Sequence, residues 1–195
     1  MTAQVGDRFI YKGDNYSIVA ISNPIQFNPL DYGIKPVACC SACWNGYWCD
    51  YQISAKGIVL ENLYINAEDD HYPEINNVKP QKEGKKSFKY MGHHLYKNLN
   101  IFMEYSGKIL LGKGFINKYY IHMGYQRAWA YEILEELIFN KGELIKIVDH
   151  SEMARKLRWE LENREEEIKK TDNNISLFVK ESFSLEMKDK AWWIE

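Results

Sequence analysis

Residues 47–66, YWCDYQISAKGIVLENLYIN, decide the fold of this chain. After Gly57 two sets of side chains alternate along the sequence: Val59, Glu61, Leu63 and Ile65 against Ile58, Leu60, Asn62 and Tyr64. Alternation with a period of two is typical of a β-strand, because successive side chains of a strand point to opposite faces of the sheet. The short polar segment SAK separates this strand from the aromatic run YWCDYQI, so the stretch predicts an antiparallel hairpin.

Further hairpins are predicted on both sides of this stretch. Residues 7–22 alternate around the turn-forming KGDN, and residues 100–112 alternate around YSG. Residues 128–139, AWAYEILEELIF, fit either a helix or a strand, because their apolar positions satisfy both periods. The NKG turn and the alternating ELIKIVD (143–149) that follow favour a strand pair.

The chain changes character at residue 151. The segment SEMARKLRWELENREEEIKK (151–170) carries six acidic and six basic residues. Opposite charges four residues apart support a helix, and Ser151 is a favourable N-cap. A narrow apolar stripe predicts that this helix packs along one thin seam: Ala154, Leu157, Leu161 and Ile168. Residues 171–195 fit either a strand or a second helix.

Together these patterns predict an α+β fold. Its body, residues 1–150, is expected to be predominantly antiparallel, either a twisted sheet or a partly open barrel, followed by a charged C-terminal helix. We predict a single domain over residues 1–195, with 151–195 as a helical appendage packed on the β body. A polar excursion over residues 67–87 interrupts that body, and so long a loop is uncommon without a role.

Composition and charge exclude several classes of protein. The formal net charge of the 195-residue chain is −2, which gives no basic excess to attract a nucleic-acid backbone. No window approaches 18 continuous apolar residues, so no membrane span is expected. The first residues, MTAQVGDRFIYKGDNYS, lack the features of a secretory signal. We therefore expect a cytoplasmic protein with reduced thiols.

All four cysteines of the chain lie in the segment CCSACWNGYWC: Cys39, Cys40, Cys43 and Cys49. Cys40 and Cys43 have the C-x-x-C spacing of zinc ligands, and Cys49 could be a third ligand with His71 or His122 as the fourth. The second C-x-x-C pair of most structural zinc sites is missing. The alternative is that the cysteines pack with tryptophan in a corner of the core, where free cysteine behaves as a small apolar residue.

Two further segments have the composition of a binding surface. The acidic segment EDDHYPE (68–74) includes Asp69, Asp70 and Glu74, and could recognise a basic partner, bind a divalent cation or be a solvated loop. The segment GYQRAWAY (124–131) combines Tyr125 and Arg127 with further aromatic residues. Arginine among aromatics is typical of binding hot spots, although the same residues can stack within one structure.

No stretch of the sequence has a strong catalytic signature. Aromatic residues make up 14% of the chain, and tyrosine and tryptophan are enriched at interfaces. We therefore predict a non-enzymatic protein-binding module with a protein partner and no cofactor, for which an inhibitor or immunity-type protein is one class. The alternatives are a zinc-binding protein that uses the cysteines, and an enzyme or small-ligand binder with a pocket formed by distant residues such as Tyr125, Arg127 and His122.

Overall fold

The computed structural model describes residues 2–54, 57–82 and 94–163, and it confirms the α+β prediction. Within these residues a mixed, largely antiparallel open sheet is followed by one α-helix. The strands are β1 (Arg8–Tyr11), β2 (Asp14–Ile21), β3 (Tyr47–Ser54), β4 (Gly57–Ile65), β5 (Gln81–Lys82), β6 (His94–Tyr96), β7 (Ile101–Met103), β8 (Gly107–Phe115), β9 (Tyr131–Asn140) and β10 (Glu143–Asp149). The helix is α1 (Ser151–Asn163), and short 3-10 helices cover Pro29–Tyr32, Asn117–Tyr119 and Ala128–Ala130.

The strand order is β10-β9-β8-β2-β1-β3-β4-β6-β5, and β7 pairs with β4 beside β6. The pair β1–β3 is parallel, with Arg8 opposite Asp50, and the other pairs are antiparallel. The chain reaches this parallel pairing through β2, which runs antiparallel to β1, and residues 22–46 then connect β2 to β3. This connection is ordered because it buries Phe27 and Ile34 against the sheet.

Three of the predicted hairpins are present, and the fourth is wrong. β1 pairs with β2, β3 with β4, and β9 with β10, as the alternation and the turns indicated. Residues 100–112 do form two strands, but β7 pairs with β4, while β8 lies between β2 and β9. The backbone of Tyr105, between β7 and β8, accepts a hydrogen bond at 2.7 Å from the N–H of Gly142, so this segment is held by the β9–β10 turn.

Two groups of buried side chains lie on the sheet. The larger group includes Phe9, Tyr51 and Leu60, and the connecting segments cover it. The smaller group lies under α1, where Ala154 is buried against Leu134 and its neighbours. This is the thin seam that the apolar stripe of the helix predicted.

The start of α1 differs from the prediction in one detail. The side chain of Asp149, and not that of Ser151, caps the helix, because its Oδ1 accepts a hydrogen bond at 2.8 Å from the N–H of Ser151. The hydroxyl of Ser151 instead accepts a hydrogen bond at 3.0 Å from the N–H of Leu134. The predicted continuation of the helix to residue 170 and the tail 171–195 lie outside the described residues. In the described part of the chain, no helix has the length and apolar character needed to cross a membrane.

Candidate functional site

The acidic residues that the sequence singled out are exposed on a turn. Oδ1 of Asp69 accepts a hydrogen bond at 3.2 Å from the N–H of His71, and Asp70 has a left-handed backbone with φ of 54°. Glu74 forms an ion pair with Lys79 at 3.3 Å. Glu68 likewise pairs with Lys35, so lysines neutralise half of the four carboxylates in this segment. Asp69 and Asp70 are the two that form no ion pair with another described residue.

Tyr125 and Arg127 lie in different surroundings from the acidic turn. The ring of Tyr125 lies against Gly6, since a Cβ added to Gly6 would be 3.6 Å from it. Arg127 directly precedes the 3-10 helix Ala128–Ala130. Among the described residues, no hydrogen bond or ion pair joins either residue to Asp69 or Asp70. The five residues predicted for partner binding therefore occupy two separate places.

The cysteines also divide into two groups. Cys40 and Cys43 close a tight turn, with the N–H of Cys43 3.1 Å from the carbonyl oxygen of Cys40. Burial raises the pKa of the Cys43 thiol to about 12. Cys49 lies in β3, completely buried beside Asp7 and Tyr51, and burial raises its thiol pKa well above the ordinary value. Within residues 2–54, 57–82 and 94–163, no three cysteine, histidine or acidic side chains form a group that could hold a metal ion.

A small cavity lies where the N-terminal segment, β2 and the 124–131 segment meet. Its volume is about 100 Å³, and its polar wall includes Gln4, Asp7, Ser17, Tyr125, Gln126 and Tyr131. Backbone and aliphatic groups complete the lining. Of the three residues named for a pocket formed by distant residues, Tyr125 lines this cavity, and His122 and Arg127 are not among its lining residues. The other wall comes from residues more than 100 positions earlier in the sequence.

Asp7 gives this cavity its charge. Its Oδ1 accepts a hydrogen bond at 2.8 Å from the backbone N–H of Cys49. Burial, opposed by the Cys49 N–H and supported by the charge of Asp50, raises the pKa of the Asp7 carboxyl from 3.8 to about 6. Asp7 forms no ion pair with any residue of the described ranges.

The two glutamines of the wall are engaged in hydrogen bonds to the backbone. Gln126 bonds the N–H and the carbonyl oxygen of Ile121, each at 2.9 Å. Gln4 donates to the carbonyl oxygen of Ser41 at 2.9 Å. The ring of Tyr131 covers Gly112, where an added Cβ would be 2.7 Å from it. Asp7 is the charged side chain of the cavity wall, which it shares with Tyr125 and Tyr131.

The outer strand β10 is a second feature with the character of a binding surface. Among the strands of the described residues, it ends the order and pairs with β9 on one side. Ile145 and Ile147 are 57% and 44% exposed. The strand at the other end of the order, β5, has two residues, Gln81 and Lys82, both polar and exposed. A short polar edge is one protected form, whereas β10 is longer and more apolar, and its protection consists of Lys146 and a register shift between Leu144 and Lys146.

The sequence pattern indicated the segment 124–131, which supplies Tyr125 and Tyr131, but missed Asp7 as a lining residue. Asp7 has no local partner that would mark it, because it meets Tyr125 only after the chain has folded. The exposed edge of β10 was also missed, because ELIKIVD alternates like any half-buried strand, and strand order is not visible in alternation.

No family model, curated protein or solved structure matches this chain. A function has to be inferred from the chain's own surfaces.

Proposed function

We propose that this chain is a protein-binding module that recognises an extended segment of a partner protein by strand addition at β10. The observation that carries the proposal is the seven-residue outer strand with Ile145 and Ile147 exposed. An open strand edge offers unpaired N–H and C=O groups to a partner strand, and its side chains supply specificity. The inhibitor or immunity class stays a prediction.

The composition of β10 supports this use of the edge. Lysine at an edge discourages unspecific pairing, and Lys146 lies between the two exposed isoleucines. Glu143 and Asp149 place a carboxylate at each end of the strand, and both residues are exposed. A partner segment with apolar residues at alternate positions and basic residues near its ends would complement this strand. Asp69 and Asp70, on a different element, are a second proposed contact for a basic partner.

The test begins with peptides displayed at random and selected on the immobilised full chain. Selected peptides are then measured by hydrogen exchange, in which strand addition slows exchange of the β10 amides. The double variant Ile145→Lys/Ile147→Lys should weaken binding at least about tenfold, since it removes two buried apolar contacts from the interface. Leu30→Lys is the matched control, because Leu30 is equally exposed but lies in the 3-10 helix Pro29–Tyr32.

Two results would overturn strand addition. One is equal binding of the selected peptides to the double variant and to the unchanged chain. The other is protection confined to the acidic turn, with loss of binding in Asp69→Asn/Asp70→Asn, which would move the interface to residues 68–74. Sedimentation of the chain alone shows whether it dimerises. A dimer that the double variant abolishes would mean that the partner at β10 is a second copy of the chain.

A further inference from the structure

We propose that the cavity beside Asp7 binds the ammonium group of a small amine, with the ammonium at the Asp7 carboxylate and the attached carbons between the rings of Tyr125 and Tyr131. This site is independent of the proposed strand addition at β10. The proposal rests on the cavity, on the unpaired carboxylate in its wall and on the two aromatic rings beside it.

The carboxylate of Asp7 is incompletely satisfied by the protein. Within the described ranges its one hydrogen-bond donor is the N–H of Cys49, which reaches Oδ1. Oδ2 is neither bonded nor among the fully enclosed polar atoms without a partner. A carboxylate accepts several hydrogen bonds, and a charge removed from water is costly without a counter-charge. An ammonium ion supplies both the N–H donors and the opposite charge.

The surroundings of Asp7 select a cation over an anion or a neutral molecule. The cavity wall contains no lysine, arginine or histidine. The guanidinium of Arg8, the next residue in the chain, is paired with Asp50 through Nε–Oδ1 at 2.7 Å. The faces of tyrosine rings attract cations, and two such rings line the cavity. Each feature adds to the negative potential of this pocket.

The volume sets the size of the ligand. About 100 Å³ is smaller than the cavity of roughly 150 Å³ that accepts benzene in an engineered protein. A primary amine with three or four carbons, or the end of a lysine side chain, matches this space. Both ligands present the same ammonium group. The first is a free small molecule, and the second belongs to a protein.

The experiment is a titration of the full chain, labelled with ¹⁵N, with n-propylammonium chloride. We expect saturable shifts of the amide signals of Asp7, Cys49 and Tyr125 with a Kd near the millimolar range, as befits about four heavy atoms. Sodium chloride at the same ionic strength and 1-propanol, a neutral molecule of the same size, should give no saturable shift. Saturation by 1-propanol at the same concentration would show an apolar pocket and overturn the proposal.

Variants place the binding at Asp7. Asp7→Asn retains an acceptor for the Cys49 N–H and should weaken binding at least about tenfold. Asp31→Asn makes the same change of charge at an exposed position of the 3-10 helix Pro29–Tyr32 and should leave the Kd unchanged. If Asp7→Asn fails to fold, Tyr125→Leu removes one ring and should also weaken binding. Unchanged affinity in the folded Asp7 variant, or in Tyr125→Leu, would exclude the site.

A final comparison distinguishes the source of the ammonium group. Nα-acetyl-lysine N-methylamide presents a lysine side chain as a protein would. Tighter binding of this compound than of n-propylammonium indicates a lysine of a partner protein as the ligand. Tighter binding of the free amine indicates a small-molecule ligand. Either result supports the proposed ammonium site. If neither compound binds, the proposal is wrong.

Discussion

The guanidinium of Arg8 and the carboxylate of Asp50 form a two-point hydrogen bond across the parallel pair β1–β3, with Nε–Oδ1 at 2.7 Å and Nη2–Oδ2 at 2.9 Å. Asp50 is 3% exposed. Asn62 donates to the same carboxylate at 3.0 Å, and Arg8 also donates to the hydroxyl of Tyr64 at 3.1 Å. Parallel pairs are slightly less stable per residue than antiparallel ones, so this bond strengthens the weaker kind of pairing in the sheet.

Replacing Arg8 should therefore destabilise the chain strongly. Arg8→Met leaves the buried charge of Asp50 without its partner, and we expect the free energy of unfolding to fall by about 3 kcal/mol. Urea denaturation measures the change. Lys113→Met is the control, because it breaks an exposed ion pair with Asp14 and should cost less than about 1 kcal/mol. Similar losses in the two variants would contradict a special role for the β1–β3 pair.

Asp7 should make the stability depend on pH in the opposite sense to most carboxylates. The pKa of its carboxyl in the folded chain, about 6, is above the ordinary value of 3.8, so the folded state holds the proton more tightly than the unfolded state. Stability from this group is fully present below about pH 4 and is lost as the pH rises through 6. This pKa shift corresponds to a change of at most about 3 kcal/mol in the free energy of unfolding.

Asp7→Asn tests this dependence because it removes the charge and keeps an acceptor for the Cys49 N–H. We expect the variant to be more stable than the unchanged chain by up to about 3 kcal/mol near pH 8, and nearly equal to it near pH 4. Denaturation in urea at several pH values gives the difference. The stability of Asp7→Asn minus that of the unchanged chain should rise from about pH 4 to about pH 8. A fall in this difference would refute the assignment.

Gly57, the first residue of β4, lies against Gly142 in the turn between β9 and β10. A Cβ added to Gly57 would collide with the carbonyl group of Gly142, and Gly57 has φ of 121°. Gly57→Ala should thus destabilise the chain by about 3 kcal/mol or more. Gly13→Ala is the matched control, because Gly13 also has a positive φ, 80°, but has nothing within 4 Å of the added carbon.

The control should cost only the backbone strain, about 1 kcal/mol. Thermal unfolding of the two variants separates strain from collision. Equal melting temperatures would mean that the two turns are not held together in solution.

The cysteines should differ in their reaction with iodoacetamide. Cys43 and Cys49 are 3% and 0% exposed, whereas Cys39 and Cys40 are partly accessible. Burial also raises the pKa of the Cys43 thiol to about 12, so little of it is the reactive thiolate at neutral pH. Intact-mass spectra should show at most two rapid additions to the native chain and four after denaturation. Rapid modification of Cys49 in the native chain would contradict its burial.

Zinc binding by Cys40, Cys43 and Cys49 can be tested directly. The structure holds Cys49 beside Asp7 and Tyr51, whereas Cys40 and Cys43 lie in a turn outside the strand. We therefore expect the native mass of the chain, purified without chelator, to show no zinc. A chelator-sensitive addition of about 65 Da would restore the zinc alternative, since structural zinc binds tightly enough to survive purification.

The strands could be predicted, whereas their partners could be predicted only where a tight turn joins them. The alternation at 143–149 and the NKG turn identified β10 and its partner β9. The same reasoning failed for 100–112, because the YSG segment resembles a hairpin turn while its backbone bonds Gly142. Of the site, Tyr125 was found through its aromatic neighbours. Asp7 could not be found, because a lone aspartate near a strand has the same pattern whether it faces water or a cavity.

What the sequence determined by itself is local: the period-two strands, the turns between adjacent strands and the charged helix from residue 151. These follow from side-chain periodicity and turn chemistry, which act over a few residues. Only the tertiary structure decided that β1 lies beside β3, that β10 is left at the edge, and that Asp7 meets Tyr125 across more than 100 residues. The physical reason is that packing and burial depend on which surfaces meet, and many strand orders satisfy the same alternation.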